Sequence, residues 1–299
     1  MRTNIRTRSL PLLAAALLLS ACAPATVVED RPSELGSATE AVALSPGGLA
    51  PIRTYLNCLP DDAVLVAAHR GTGAGLGAPE NSVSGLEALI EAGVMMAEID
   101  VARIRDGTLI SFHDGVWDDK ASGTGPVVST PRAGFDAMRL RVREKGPIGG
   151  EPVPTLADML DTAKGRIYLE VDFKTSADIP RVVDALRARG MQDEVILIAT
   201  DADEARRLAP YADEFLLSLG YNQRLAGHGV WVGGRWRDDA QDALGRKHYR
   251  LGSQWRRDPQ EMTRARTRLD LLVTDQILRY EPVEGLRNER AFQHCLVAG

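Results

Sequence analysis

Four stretches of this chain carry side chains suited to moving protons and holding an anion. His69-Arg70 follow the apolar run Val64–Ala68, and His113-Asp114 follow Thr108–Phe112. Between them, Glu98 and Asp100 stand inside Val94–Val101, and further on Glu170, Asp172 and Lys174 alternate along a fourth run. Only five histidines occur in 299 residues, and two of them directly follow predicted strands. Near neutral pH one imidazole can accept a proton while the other donates one, which suits general acid–base cleavage of an ester. Residues two apart on a strand share a face. Glu98 and Asp100 therefore make one acidic pair, with Ile99 and Val101 turned to the other side, and Glu170, Asp172 and Lys174 make a mixed row. Carboxylates facing one another repel unless a cation bridges them, and hard oxygen ligands suit Mg²⁺ or Ca²⁺. Asp172 or Glu170 could complete a three-carboxylate site, and Lys174 could bind an anionic substrate.

The elements that must position these groups alternate. Strands are expected at 64–68, 95–101, 108–112, 167–173, 195–199, 214–219, 229–232, 249–253 and 271–274, each short, apolar and bounded by Gly, Pro or Asp. Asn81 or Ser82 can cap a helix to about Ala92, and Thr155 one to Ala163. Further helices are expected at 179–189, 202–209, 238–246 and 259–267, with a last one after Asp275. Strands alternating with helices of this length imply repeated βα units and a parallel sheet, and about eight such strands fit one closed (β/α)8 barrel. In such a barrel the groups at strand ends gather on the carboxyl face. The section 115–152 reads as irregular, with one short helix at 133–140. Trp117 within it, and Trp255, are as ready to pack as to line a pocket. The glycine-rich 72–78 reads as an active-site loop, because no dinucleotide-type helix follows it at once.

Composition narrows the class. With 44% hydrophobic residues the chain can bury a substantial core. The N-terminus reads as a targeting segment: Arg2, Arg6 and Arg8 precede an apolar run from Leu10 to Leu19. That run is too short to span a bilayer, which takes about 20 residues. Without residues 1–21, 33 basic residues face 41 acidic ones, a net charge of −8, which gives no support to nucleic-acid binding. Leu19-Ser20-Ala21-Cys22 resembles the lipobox of bacterial lipoproteins. That resemblance implies a signal peptide over 1–21, lipidation at Cys22, a tether over 22–57 and a folded domain over 58–299. The protein is then expected in the bacterial cell envelope, facing the periplasm and held to a membrane by its acyl chains. Residue 23 is Ala, not the Asp that often retains such lipoproteins at the inner membrane, so the outer membrane is open to it. An exported chain meets oxidising conditions. Cys58 lies just before the first strand, and a last descending helix would bring Cys295 to the same face, so the two are a candidate disulfide.

The ordered motifs resemble a known family. His69-Arg70-Gly71, Pro79-Glu80-Asn81-Ser82, Glu98-x-Asp100 and Asp106-Gly107-x-Leu109-x-x-x-His113-Asp114 resemble the glycerophosphodiester phosphodiesterases. The likeness continues through Gly123-Thr124-Gly125-Pro126-Val127, Val153-Pro154-Thr155-Leu156 and Val273-Thr274-Asp275. It implies a single-domain TIM barrel of the PLC-like phosphodiesterase type that uses a divalent metal to release sn-glycerol 3-phosphate and an alcohol. By position, His69 and His113 are the acid–base pair, Arg70, Glu80 and Lys174 bind substrate, and Glu98, Asp100 and Asp172 hold the metal. The family often has Glu-x-Lys where this chain has Asp172-Phe173-Lys174, so Glu170 stays a rival third ligand. By similarity with related barrels, the nucleophile is either water or a neighbouring hydroxyl of the substrate, the latter giving a cyclic phosphate. A phospholipid-directed phosphodiesterase, such as a lysophospholipase D or phosphoinositide-type lipase, is the alternative. A non-catalytic phosphodiester-binding lipoprotein is the reading from another class.

Overall fold

The computed structural model describes residues 48–59, 65–71, 76–174, 179–220, 228–231, 249–254, 271–274 and 295. Along the chain come α1 (Ile52–Cys58), β1 (Leu65–Ala68), α2 (Val83–Glu91), β2 (Met96–Arg103), β3 (Leu109–Ser111) and α3 (Arg132–Asp136). A hairpin of β4 (Arg139–Arg141) and β5 (Ile148–Pro152) precedes α4 (Leu156–Ala163), β6 (Tyr168–Phe173), α5 (Ile179–Arg187) and β7 (Val195–Ile198). Then follow α6 (Ala202–Leu208), β8 (Leu216–Gly220), β9 (Gly229–Trp231), β10 (Tyr249–Gln254) and β11 (Leu271–Thr274).

Eight of these strands close on themselves. Parallel pairing runs β1–β2–β6–β7–β8–β9–β10–β11 and returns from β11 to β1. This is the α/β barrel expected from the alternation. Period-two patterning then sorts each strand. Outward residues such as Ile99, Val101, Leu169 and Val171 join the helices' Leu86, Leu89, Met159 and Val182 in the main core. Inward residues at the amino end are apolar too: Leu65, Ala67, Met96, Tyr168, Ile196 and Leu216 form a floor, on which α1 lays Ile52, Tyr55 and Leu56. Tyr168 Oη donates to Ala50 O at 2.8 Å, so the one polar atom of that ring is satisfied. Cys58 is disulfide-bonded to Cys295, Cα to Cα 5.6 Å.

Local signals set the helix starts. Ser82 Oγ accepts from Gly85 N, and Thr155 with Asp158 forms a full capping box, each such cap being worth about 0.5–2 kcal/mol.

Four expectations need correction. The strand at 108–112 is not a barrel stave: β3 runs antiparallel to β2, with Val101 opposite Ser111 and Arg103 opposite Leu109. The tight turn after Arg103, with Gly107 at φ +87°, sends the chain back down the strand it has just left. The section 115–152 is more ordered than expected. Its helix ends at Asp136 and residues 139–141 pass into the hairpin, over a core of Ile104, Ile110, Phe112, Trp117, Phe135 and Leu140. Trp117 belongs to that core, fully buried against Phe112 with Nε1 donating to Thr130 Oγ1 at 2.7 Å, so it packs and lines no pocket. Finally, α1 forms within the segment read as tether, because Ile52, Tyr55 and Leu56 have the barrel floor to cover. The signal segment, Cys22, Val64, most of the glycine-rich loop, Trp255 and the helices expected at 238–246, 259–267 and after 275 lie outside the described residues.

Candidate active site

The barrel's inner face changes character one layer above its floor. In parallel register, Glu98 lies beside Glu170 and Asp100 beside Asp172, so β2 and β6 present two stacked carboxylate pairs toward the axis. Glu98, Asp100 and Glu170 are buried. One ligand oxygen each from Glu98, Asp100 and Asp172 lies within 4.8 Å of the others. Glu170 sits one pleat lower, outside that group. Lys174 Nζ lies 2.8 Å from Asp100 Oδ1 and 2.7 Å from Asp172 Oδ2, which leaves one ammonium for the crowded acids of these two strands.

The crowding is visible in the proton affinities. Burial, then the neighbouring Asp100, pushes Glu98 well above the usual carboxylate range. Burial, then Asp172, pushes Glu170 up to about 8. Burial also raises Asp172 although Lys174 opposes it. The two acids raise the Lys174 ammonium against its own burial. Among the described residues Asp172 Oδ1 is buried without a hydrogen-bond donor. Three converging carboxylates, one with an undonated oxygen and two reluctant to ionise, fit a divalent cation bound through hard oxygen donors.

The turn His69–Gly71 supplies the next groups. Arg70 has φ +57°, a left-handed conformation costing a non-glycine residue about 1–2 kcal/mol. What holds it there is a set of bonds to its backbone and side chain. Arg70 N donates to Glu98 Oε2 at 2.7 Å, Asn81 N donates to Arg70 O at 2.6 Å, and Arg70 Nη1 reaches both oxygens of Glu80 at 3.1 Å. Arg70 Nε is buried and has no acceptor among the described residues, so a donor remains for an anionic ligand. His69 Nε2 lies 3.8 Å from Glu98 Oε2.

His113 arrives by the antiparallel return. Phe112 N donates to Asp100 O at 3.2 Å, which sets His113 level with the acidic layer and not beyond the end of a parallel strand. Its Nδ1 is 2.6 Å from Asp114 Oδ1. Burial opposes ionisation of Asp114, but the bond from His113 and the nearby Lys120 hold it below the usual carboxylate range. An ionised carboxylate can only accept, so Nδ1 carries the hydrogen and Nε2 is left for proton transfer.

Three contributors escaped the sequence reading. Asn81, at φ +51°, clamps Asp100 from both ends: Nδ2 donates to Asp100 Oδ2 at 2.6 Å, and Oδ1 accepts from Asp100 N at 2.9 Å. Ser111 Oγ donates to the same Oδ1 at 2.9 Å. Asn81 was visible as the residue after Glu80, and a left-handed position favours Asn. Lys120 ion-pairs with Glu80 at 2.5 Å and with Asp114 at 3.6 Å. Flanked by Asp118 and Asp119 it reads as a surface charge, and only the fold shows it buried.

Known proteins share sequence and fold with this chain. Residues 69–212 match the model of the glycerophosphoryl diester phosphodiesterase family, a span that starts at His69 and includes all of the carboxylates, both lysines and His113. A glycerophosphodiester phosphodiesterase of Caldanaerobacter subterraneus subsp. tengcongensis is 23% identical over 163 residues, 52% of this chain and 66% of that protein. The chain thus covers just under two thirds of the length of this relative. Among solved structures, a glycerophosphoryl diester phosphodiesterase from Parabacteroides distasonis superposes with a TM-score of 0.62 at 18% identity, over 84% of this chain and 95% of that one. A phosphodiesterase from Oleispira antarctica, solved with the product sn-glycerol-3-phosphate, gives 0.60 at 18% identity, over 76% and 98%. At such identities the structural likeness speaks for the fold: a TIM-type barrel.

Proposed function

We propose that this chain, whose residues 69–212 match the glycerophosphoryl diester phosphodiesterase family across the whole acidic mouth, is a phosphoric diester hydrolase acting on glycerophosphodiesters. The products are sn-glycerol 3-phosphate and an alcohol. The observation that carries this reading is the convergence, at one barrel mouth, of two histidines, an arginine whose buried Nε–H has no acceptor among the described residues, and a carboxylate triad.

Glu98, Asp100 and Asp172 would hold a divalent cation, Mg²⁺ or Ca²⁺, which when bound neutralises phosphoryl oxygens and the charge that builds on them. The rest is the work of side chains. A phosphodiester is an anion that gains charge during attack, and Arg70 offers its Nε–H where that charge develops. Lys174 adds a second positive charge beside Asp100 and Asp172. His69 and His113 divide the proton transfers: one takes the proton of the attacking water, or of a neighbouring substrate hydroxyl whose cyclic phosphate water then opens, and the other returns a proton to the departing alkoxide. Asp114 fixes the His113 ring for this task through Nδ1, and Asn81 fixes Asp100.

The test is release of glycerol 3-phosphate from glycerophosphocholine and glycerophosphoethanolamine by the purified protein, with Mg²⁺, with Ca²⁺ and with chelator, beside His69→Ala. Turnover that needs the cation and disappears in the variant supports the reading. Turnover of intact phospholipids alone would shift the substrate to the lipid itself. Neither turnover nor cation binding would leave a phosphodiester-binding protein.

The same proposal extends to location. The lipobox-like Leu19-Ser20-Ala21-Cys22 supports export and lipidation at Cys22, with the barrel facing the periplasm. Radiolabelled palmitate should enter the full-length chain in a bacterial host and not its Cys22→Ser variant. Equal labelling of both would rule the anchor out.

A further inference from the structure

A buried lysine in the insertion between β3 and α4 stands between two parts of the site. Lys120 Nζ lies 2.5 Å from Glu80 Oε1 and 3.6 Å from Asp114 Oδ1. Each of those carboxylates holds a different working group: Glu80 grips the Arg70 guanidinium through Nη1, and Asp114 Oδ1 is the oxygen bonded to His113 Nδ1. The side chain of Lys120 is only 7% accessible, and its backbone is fixed from outside the site. Lys120 N donates to Trp117 O at 3.1 Å and Lys120 O accepts from Arg141 N at 2.8 Å, so the insertion's core and hairpin hold the ammonium in place.

We propose that Lys120 is a positioning residue that couples the phosphate-binding Arg70 to the His113–Asp114 pair. The role rests on the phosphodiesterase reading, while the coupling itself rests on geometry alone. Removing the ammonium takes away the cation that lies within 4 Å of both Glu80 and Asp114, and leaves two like charges that face each other less well screened. Repulsion then draws Asp114 off Nδ1 and frees the His113 ring to turn, while Glu80 no longer presents Arg70 at a fixed angle. Both the proton transfer and the grip on phosphate suffer, although Lys120 itself need touch no substrate.

Two measurements test this. In kinetics with glycerophosphocholine, Lys120→Met should lower kcat/KM by about 10²-fold, the scale expected when reacting groups are misplaced by about 1 Å. The loss should fall on kcat and KM together, and Lys120→Arg should recover most of it. In an Asp114→Asn background the same substitution should cost little further kcat. The second measurement needs no turnover: the Nδ1–H proton of His113, assigned by its absence in His113→Gln, should lie far downfield in wild type and move in Lys120→Met. Glu80→Gln, which loosens Lys120 without removing it, should move the same resonance although Glu80 does not contact His113, and it serves if Lys120→Met fails to fold. A His113 resonance unmoved in both variants, with only thermal stability lowered, would overturn the proposal. Moved resonances with no phosphodiester turnover in any form would leave the coupling standing and remove the assigned reaction instead.

Discussion

Asp172 and Glu170 have nearly the same chemistry, and their positions two residues apart on β6 give them different surroundings. Asp172 shares a register line with Asp100 and joins the triad, whereas Glu170 pairs with Glu98 one layer deeper. Adding Mg²⁺ or Ca²⁺ should therefore raise the melting temperature of wild type and of Glu170→Gln, because a ligand that binds only the folded state stabilises it. Asp172→Asn should lose that increment; if Glu170→Gln loses it instead, Glu170 is the third ligand. Glu170 also sets a pH dependence. Its folded-state value, about 8, lies above the ordinary 4.5, so the fold favours its protonated form. The stability this contributes is complete below about pH 4.5 and is lost as the pH rises toward and through 8. Burial displaces Glu98 and Asp172 in the same direction. In chelator, urea unfolding from pH 5 to 9 should show stability falling with pH, and Glu170→Gln should flatten that slope. An unchanged slope would mean that Glu170 is not the titrating group.

At the scale of elements, the site depends on how closely α2 approaches the turn after β1. Gly71 turns the chain at φ +61°, and a Cβ built on Gly85 in the first turn of α2 would lie 2.5 Å from Gly71 O. Gly71 O is backbone, and the next atom, Ser82 Oγ at 3.0 Å, is the helix cap itself, so neither yields easily. Gly85→Ala should cost about 1–3 kcal/mol, as overpacked interiors do, and should lower turnover by shifting Arg70 away from Glu98. Denaturant unfolding together with the glycerol 3-phosphate assay checks both halves, and full activity with unchanged stability would show that α2 simply slides. The antiparallel β3 matters in the same way: it is the element that carries His113 back to the level of Asp100.

Over the whole barrel, the two ends have been given opposite jobs. The carboxyl mouth holds charge, while the amino end is an apolar floor sealed by α1 and tied by Cys58–Cys295, which closes a sequence separation of 237 residues. Removing a disulfide from a small exported domain typically costs about 2–5 kcal/mol. Cys58→Ser should lower stability by an amount in that range and leave kcat near the wild-type value, because the Met96, Tyr168, Ile196 and Leu216 layer separates the bond from the mouth. Thermal unfolding and steady-state kinetics on the same preparation decide it. A fall in kcat at temperatures where the variant is fully folded would show that the floor and the mouth are coupled.

The barrel, the inward carboxylates on β2 and β6, and the histidines at the ends of their strands were legible in the chain. They follow from local rules: period-two alternation sends Glu98 and Asp100 to one face whatever surrounds them, and short apolar runs between helices leave few other ways to bury their surface. Caps such as Ser82 and Thr155 were readable for the same reason, since the bonds that make them span only three residues. The tertiary structure decided what depends on distant neighbours. Register between β2 and β6 separated Asp172 from Glu170. The reversal of β3 set Phe112 against the Asp100 backbone and so returned the adjacent His113 to the level of the acidic layer. Packing against Phe112 took Trp117 into a core. Burial of Lys120 depends on an insertion folding over it, and nothing in Asp118-Asp119-Lys120 states which of three adjacent charges will be enclosed. Sequence spacing fixes which face a side chain takes, and only the closed fold fixes what stands opposite it.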